Sequence, residues 1–315
     1  MTSGILGGVF WALETVILGI AMGLSPFIST EQAIFLAPFV STFLHDACSS
    51  VFAFSYNAIR GELRPMLRSF RSPALKWVIL ASVIGGPVGM TGYVLAVNNM
   101  GSAIGAVASA VYPAIGTLLA WLFLKERVQW YRWLFLIAAL LGVFGLGYSP
   151  SVETGNFWLG ILGAAMCAFG WGVEAVILAK AFSYGGIKNE YALTVRQTTS
   201  ALVYGAIILP IVNGWDFTLS LFAGGIFPHI PILAIAALCA TASYLFYYKA
   251  ISSVGASRSM ALNITYTAWA IIFTVIITGD VTILNPLTLV CAAVVVVCGI
   301  LSSVDMKKIF SKSKP

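Results

Sequence analysis

Charged side chains are scarce. Asp, Glu, Lys and Arg make up 9% of the 315 residues while 60% are hydrophobic, which is more apolar surface than a water-soluble domain of this length can bury. The chain therefore faces lipid. Histidine is nearly absent, at two residues, and the five cysteines include no closely spaced pair. That excludes a metal site of ordinary zinc spacing, and neither a metal nor a cofactor is expected. No Gly-x-Ser-x-Gly, His-Glu-x-x-His or phosphate loop occurs, so the chain does not read as an enzyme. Polar and apolar residues do not alternate as in a transmembrane barrel. No basic residue precedes the first apolar stretch, which reads as a retained helix and not as a signal peptide.

What is present is a series of long apolar runs ended by polar, glycine or proline punctuation. They predict helices over 4–24, 33–58, 74–97, 102–124, 130–148, 156–182, 190–213, 229–251, 256–278 and 285–304. A hydrocarbon core needs roughly 20 apolar residues per crossing, so ten transmembrane helices are expected in an all-α integral membrane protein.

The basic residues orient this layout. Sixteen of the seventeen Lys and Arg fall on one side of it, in the connections after helices two, four, six and eight and in the tail. Lysine and arginine collect on the cytoplasmic face, so both termini are expected there, in a multi-pass protein of the cell inner (plasma) membrane. The net charge of +6 follows from that topology and favours anionic lipid head groups over nucleic acid. The exterior connections carry Glu31, Glu153, Asp216 and Asp280 with no base.

An internal repeat divides the chain. Trp11-Ala-Leu-Glu14-Thr-Val-Ile-Leu18 recurs as Trp171-Gly-Val-Glu174-Ala-Val-Ile-Leu178, and Tyr112 corresponds to Tyr266. Five helices per half make the second copy enter from the opposite side, an inverted repeat. The expected units are 1–148, an exterior linker 149–155, 156–304 and a basic cytoplasmic tail 305–315. Inverted repeats hold a substrate near the midplane between the halves, with alternating access by rocking.

Three carboxylates, Glu14, Asp46 and Glu174, and one base, Arg196, lie within predicted spans. Ionisable groups in a membrane face a cavity or one another, and the surplus of acids favours a cation. Trp11 shares a helix face with Glu14, Trp171 with Glu174, and Asn263 with Tyr266 and Trp269. Rings beside acids suit a quaternary ammonium group, which has no N–H to donate. Tyr112, before Pro113, and Tyr244 are further candidates for substrate contact, each with helix packing as the competing reading. His45-Asp46 and Arg196-Gln197 occupy corresponding places in helices two and seven. They read either as an interhelical lock or, with Glu14 and Glu174, as a coupling group, and Asp46 equally as a substrate contact. Gly85-Gly86-Pro87 is expected to break helix three and serve as a hinge.

Tyr112-Pro113-Ala114, Leu118-Leu119-Ala120, Lys125-Glu126, Trp133 and Gly142-Val143 resemble the EamA-type repeat of the drug/metabolite transporter superfamily. In the second copy Asp280 stands for the usual glutamate and Thr267 for the proline. Within that superfamily the chain resembles the LicB-type choline permeases of bacteria. His45-Asp46, Gly86-Pro87-Val88-Gly89-Met90, Trp171-Gly172-Val173-Glu174, Arg196-Gln197, Ser243-Tyr244 and Leu262-Asn263 with Tyr266 and Trp269 carry the likeness. Glu14 departs from it, standing where a small neutral residue is expected. The resemblance implies a secondary transporter importing choline or a related quaternary ammonium cation. Membrane potential would drive it, with proton coupling through a buried carboxylate as the competing mechanism. An exporter of cationic drugs or metabolites on the same scaffold is the alternative. The expected partners are a small cation and the lipid bilayer.

Overall fold

The computed structural model describes residues 1–100, 110–147, 156–223, 229–279 and 281–305. Residues 102–109 of the fourth expected span, the linker 149–155, the tail 306–315, Glu153 and Asp280 lie outside the described residues.

The described elements are all helical, and no strand occurs among them. In chain order they are α1 (Thr2–Met22), α2 (Glu31–Ile59), α3 (Leu63–Ser69), α4 (Ala74–Val83), α5 (Gly89–Met100), α6 (Tyr112–Phe123), α7 (Trp130–Leu146), α8 (Phe157–Ser183), α9 (Asn189–Val203), α10 (Leu209–Ile211), α11 (Trp215–Ala223), α12 (His229–Val254), α13 (Ala256–Asn263), α14 (Tyr266–Thr278) and α15 (Pro286–Ser303). Among the described residues, eight helical stretches are long and apolar enough to cross a membrane. The expected spans 102–124 and 130–148 hold shorter apolar helices, α6 and α7. Side chains at three starts satisfy otherwise orphaned amides: Thr30 accepts from Ala33 N at 3.0 Å, Asn156 from Leu159 N at 3.2 Å and Asn285 from Thr288 N at 2.9 Å.

Three expected helices depart from regular form. The third is not broken at Gly85-Gly86-Pro87. It passes from α4 to α5 through a π-helical turn, Ile84–Val88, because Pro87 has no N–H and the wider turn absorbs the missing bond. A second π turn, Tyr204–Ile208, joins α9 to α10. The span expected over 256–278 is two helices, α13 and α14, meeting at Ile264 and Thr265. Short α3 and α11 lie in connections that the sequence does not mark as helical.

Small residues set how the helices approach. On α8, Gly163 and Gly170 face α5 so closely that an added Cβ would overlap the Gly92 carbonyl or the Gly89 Cα, while Gly172 meets the Gly116 backbone of α6. On α1, Gly7 lies against the α12 backbone at Tyr247, and Gly8 against the Asn263 carbonyl. Without water to drive association, such close backbone contact supplies the dispersion that holds membrane helices together. The pairing is regular. α1 packs on α12, α13 and α14, α8 packs on α4, α5 and α6, α2 crosses α9, and α7 lies along α15.

Candidate functional site

Where α1, α2, α8, α9 and α12 converge, polar side chains link into one buried chain. Glu14 Oε1 lies 3.5 Å from His45 Nε2, and His45 Nδ1 lies 3.0 Å from Asp46 Oδ1. Asp46 Oδ2 is 3.5 Å from an Arg196 terminal nitrogen, and Arg196 Nε donates to Glu174 Oε1 at 3.2 Å. The terminal Arg196 nitrogen facing Asp46 also donates to Gln197 Oε1 at 2.6 Å, and Gln197 passes the chain on to Ser49 at 2.7 Å. Tyr248 donates to Glu174 at 3.3 Å. All of these acids and bases are at most 8% exposed, so each relies on its partners for the solvation that water would give.

Beside this chain is a cavity of about 120 Å³, well above the roughly 10–15 Å³ that one water needs. Trp11, Glu14, His45, Asp46, Trp171, Arg196, Tyr244 and Tyr266 line it, together with Tyr93 and Tyr247. The rings form a cluster. Trp11 stacks on Tyr266 with centroids 4.6 Å apart, Trp11 meets Trp171 edge-on at 5.7 Å, and Tyr93 stacks on Trp171 at 5.8 Å. The Trp171 indole N–H donates to the Gly85 carbonyl at 3.1 Å, which ties the π turn of helix three to the cavity wall.

The sequence-predicted residues thus divide. Trp11, Trp171, Tyr266, Asp46, Tyr244, Glu14, His45 and Arg196 reach the cavity. Glu174, Tyr112, Asn263 and Gln197 do not line it. Glu174 is drawn behind the wall by Arg196 and Tyr248. Tyr112 packs its ring against Trp11 and Trp171, at 6.4 and 5.7 Å, and its hydroxyl accepts from Asn263 Nδ2 at 3.1 Å. One face of Tyr244 is already taken, because the Arg196 guanidinium lies 4.7 Å from its centroid. Tyr93 is the lining ring that the sequence reading missed. Gly86, Met90 and Tyr93, four and three residues apart, share the face of helix three that meets the cavity.

The electrostatics follow from these partners. Arg196 is held between Asp46 and Glu174 and is not free to repel a cation. With His45 Nδ1 donating to Asp46, its Nε2 lone pair would face the Glu14 carboxylate, a repulsive arrangement. One proton on Nε2 or on Glu14 resolves it. The cavity wall therefore presents aromatic rings and the Glu14–His45 contact, and its one lining arginine is ion-paired.

Comparison with known proteins agrees with this architecture. Residues 2–148 match the model of the EamA-like transporter family. Protein LicB of Haemophilus influenzae is 28% identical over 272 residues, 85% of each chain. A protein solved by crystallography superposes with a TM-score of 0.69 over 96% of this chain and 97% of its own, at 17% identity, which establishes a shared fold. The chain is a multi-pass membrane protein, and its residues 2–148 match the EamA-like transporter family.

Proposed function

We propose that the protein is a secondary transporter that imports choline or a related quaternary ammonium cation by alternating access of one site between two inverted five-helix repeats. The repeats are 1–148 and 156–304, with ten crossings and both ends in the cytoplasm of a cell whose inner membrane holds the protein. Repeat mates that meet across the interface support the two halves: Trp11 with Trp171 at 5.7 Å, and Asp46 of the His45-Asp46 pair with Arg196 of the Arg196-Gln197 pair at 3.5 Å. A local two-fold brings equivalent positions together in this way. Exchanging each helix for its counterpart also preserves the packing of α1 on α12 and of α8 on α4 and α5.

The observation that carries the substrate reading is that six aromatic rings and two acids, Glu14 and Asp46, line one buried cavity whose one lining arginine is ion-paired with Asp46 and Glu174. A cation without N–H donors gains up to about 2 kcal/mol from each dry aromatic face it touches. Trp11 stacks on Tyr266 and Tyr93 on Trp171, so each pair contributes its remaining faces or its edges. The resemblance to LicB-type choline permeases supplies the head group. Inward movement of one positive charge gains about 2.3 kcal/mol per 100 mV, roughly fiftyfold accumulation without a coupled ion. The Glu14–His45 contact on the cavity wall supports a second driving force, proton symport through a buried carboxylate.

Uptake of labelled choline into proteoliposomes tests the proposal. Saturable uptake that grows with an inside-negative potential is expected. Uptake no greater than in protein-free vesicles overturns it, and expulsion of diverse cations without saturable choline entry favours the exporter. An added acid-outside gradient raises uptake if protons are coupled.

A further inference from the structure

A second cavity, of about 450 Å³, opens on the outer surface of the bundle between α4, α6 and α8. Its walls are Leu119, Phe123, Phe169, Val173 and Ile177, and Trp77 and Lys180 stand at one end. That end is the basic side of the helices, where α4 begins and α6 and α8 finish. Trp77 stacks on Tyr184 with centroids 6.5 Å apart and planes 16° from parallel. The Lys76 ammonium lies 5.7 Å from the Trp77 ring and the Lys180 ammonium 5.1 Å from the Tyr184 ring, so each ring of the pair has a lysine beside it. Neither lysine forms an ion pair among the described residues.

Apolar walls suit hydrocarbon, and two ammonium groups without a carboxylate partner among the described residues favour an anion. Tryptophan and tyrosine at the mouth mark the depth of the head groups. In a bilayer one kind of molecule meets all three conditions. We propose that this groove binds an anionic phospholipid, with one acyl chain lying along α6 and α8 and the phosphate at the end marked by Trp77, Lys76 and Lys180. Val173 lines the groove, while Trp171 and Glu174 on either side of it serve the cavity wall and the buried acid chain. The lipid would thereby buttress the helix that carries them.

Thermal unfolding of the purified protein in neutral detergent tests this with phosphatidylglycerol and phosphatidylcholine of identical chains. Phosphatidylglycerol is expected to raise the Tm further than phosphatidylcholine. K76Q/K180Q should abolish that difference, and Ile177→Trp, which fills the groove, should reduce the shift while leaving both lysines. Lys249→Gln, a basic-side control away from the groove, should retain the full difference. Equal stabilisation by the two lipids overturns the proposal, as does loss of the effect in Lys249→Gln. The same shift produced by glycerol phosphate alone would make this a phosphate site and overturn the lipid.

Discussion

Truncating Trp171 separates a ring that binds a cation from a ring that only fills space. Trp171→Ala removes three ring contacts, with Trp11, Tyr93 and Tyr112, and the hydrogen bond to the Gly85 carbonyl. Lost packing of this partly buried tryptophan costs at most the roughly 3–5 kcal/mol of a fully buried one, still a large share of the roughly 5–15 kcal/mol a protein holds. The lost cation contact costs about 2 kcal/mol of binding, or about 30-fold in Kd. Trp171→Phe isolates the second effect. It keeps an aromatic face and much of the volume while losing the N–H to Gly85, so choline affinity should fall only about three- to tenfold. Trp269→Phe supplies the control, since Trp269 is not among the residues lining the cavity. Calorimetric titration of choline, with thermal unfolding to confirm that each variant is folded, measures both quantities. A folded Trp171→Ala protein with unchanged affinity would refute the aromatic site.

Replacing Arg196 by Met leaves Asp46 and Glu174 buried without their counter-ion and should cost about 3–5 kcal/mol in denaturant unfolding. Gly85→Ala would drive a methyl group into the Glu174 carboxylate; a marked drop in Tm is expected, and an unchanged Tm would show that Glu174 can leave Arg196 freely. Glu14→Gln gives His45 Nε2 an amide donor in place of a shared proton, so transport should lose its dependence on external pH if this pair carries the coupled proton; the pH profile of uptake decides. Glu174→Gln should leave choline affinity within a few fold, because that carboxylate lies behind the cavity wall. At the basic end, Tyr191 and Lys188 donate to Glu62 and hold its carboxyl below the ordinary 4.5. A lowered folded pKa means the tie contributes above the ordinary value and is lost as pH falls through the lower one. Wild type and Glu62→Gln should therefore differ in Tm at neutral pH and converge in acid.

Much of the architecture was legible because membrane helices write their lengths into the sequence. Apolar runs located the long helices to within a few residues, and the departures fell where backbone hydrogen bonding, which hydropathy does not register, is irregular. Pro87 shows this: its missing N–H was visible, but whether the helix breaks or widens depends on what receives the freed carbonyls, and Trp171 N–H takes the one at Gly85. Similarly, the split between α13 and α14 leaves no mark in an even apolar run.

The sequence by itself determined that this is a membrane protein, that Trp–Glu pairs recur in both halves, and that acids outnumber bases inside its spans, because composition and helical spacing are local properties. Only the tertiary structure decided which of these groups share a cavity. It spent Arg196 on Asp46 and Glu174, set Glu174 and Tyr112 behind the wall, and brought Tyr93 into it. A residue's helix face is fixed by 3.6-residue periodicity, but the neighbour that face meets depends on how closely glycines such as Gly92, Gly163 and Gly172 let distant helices approach.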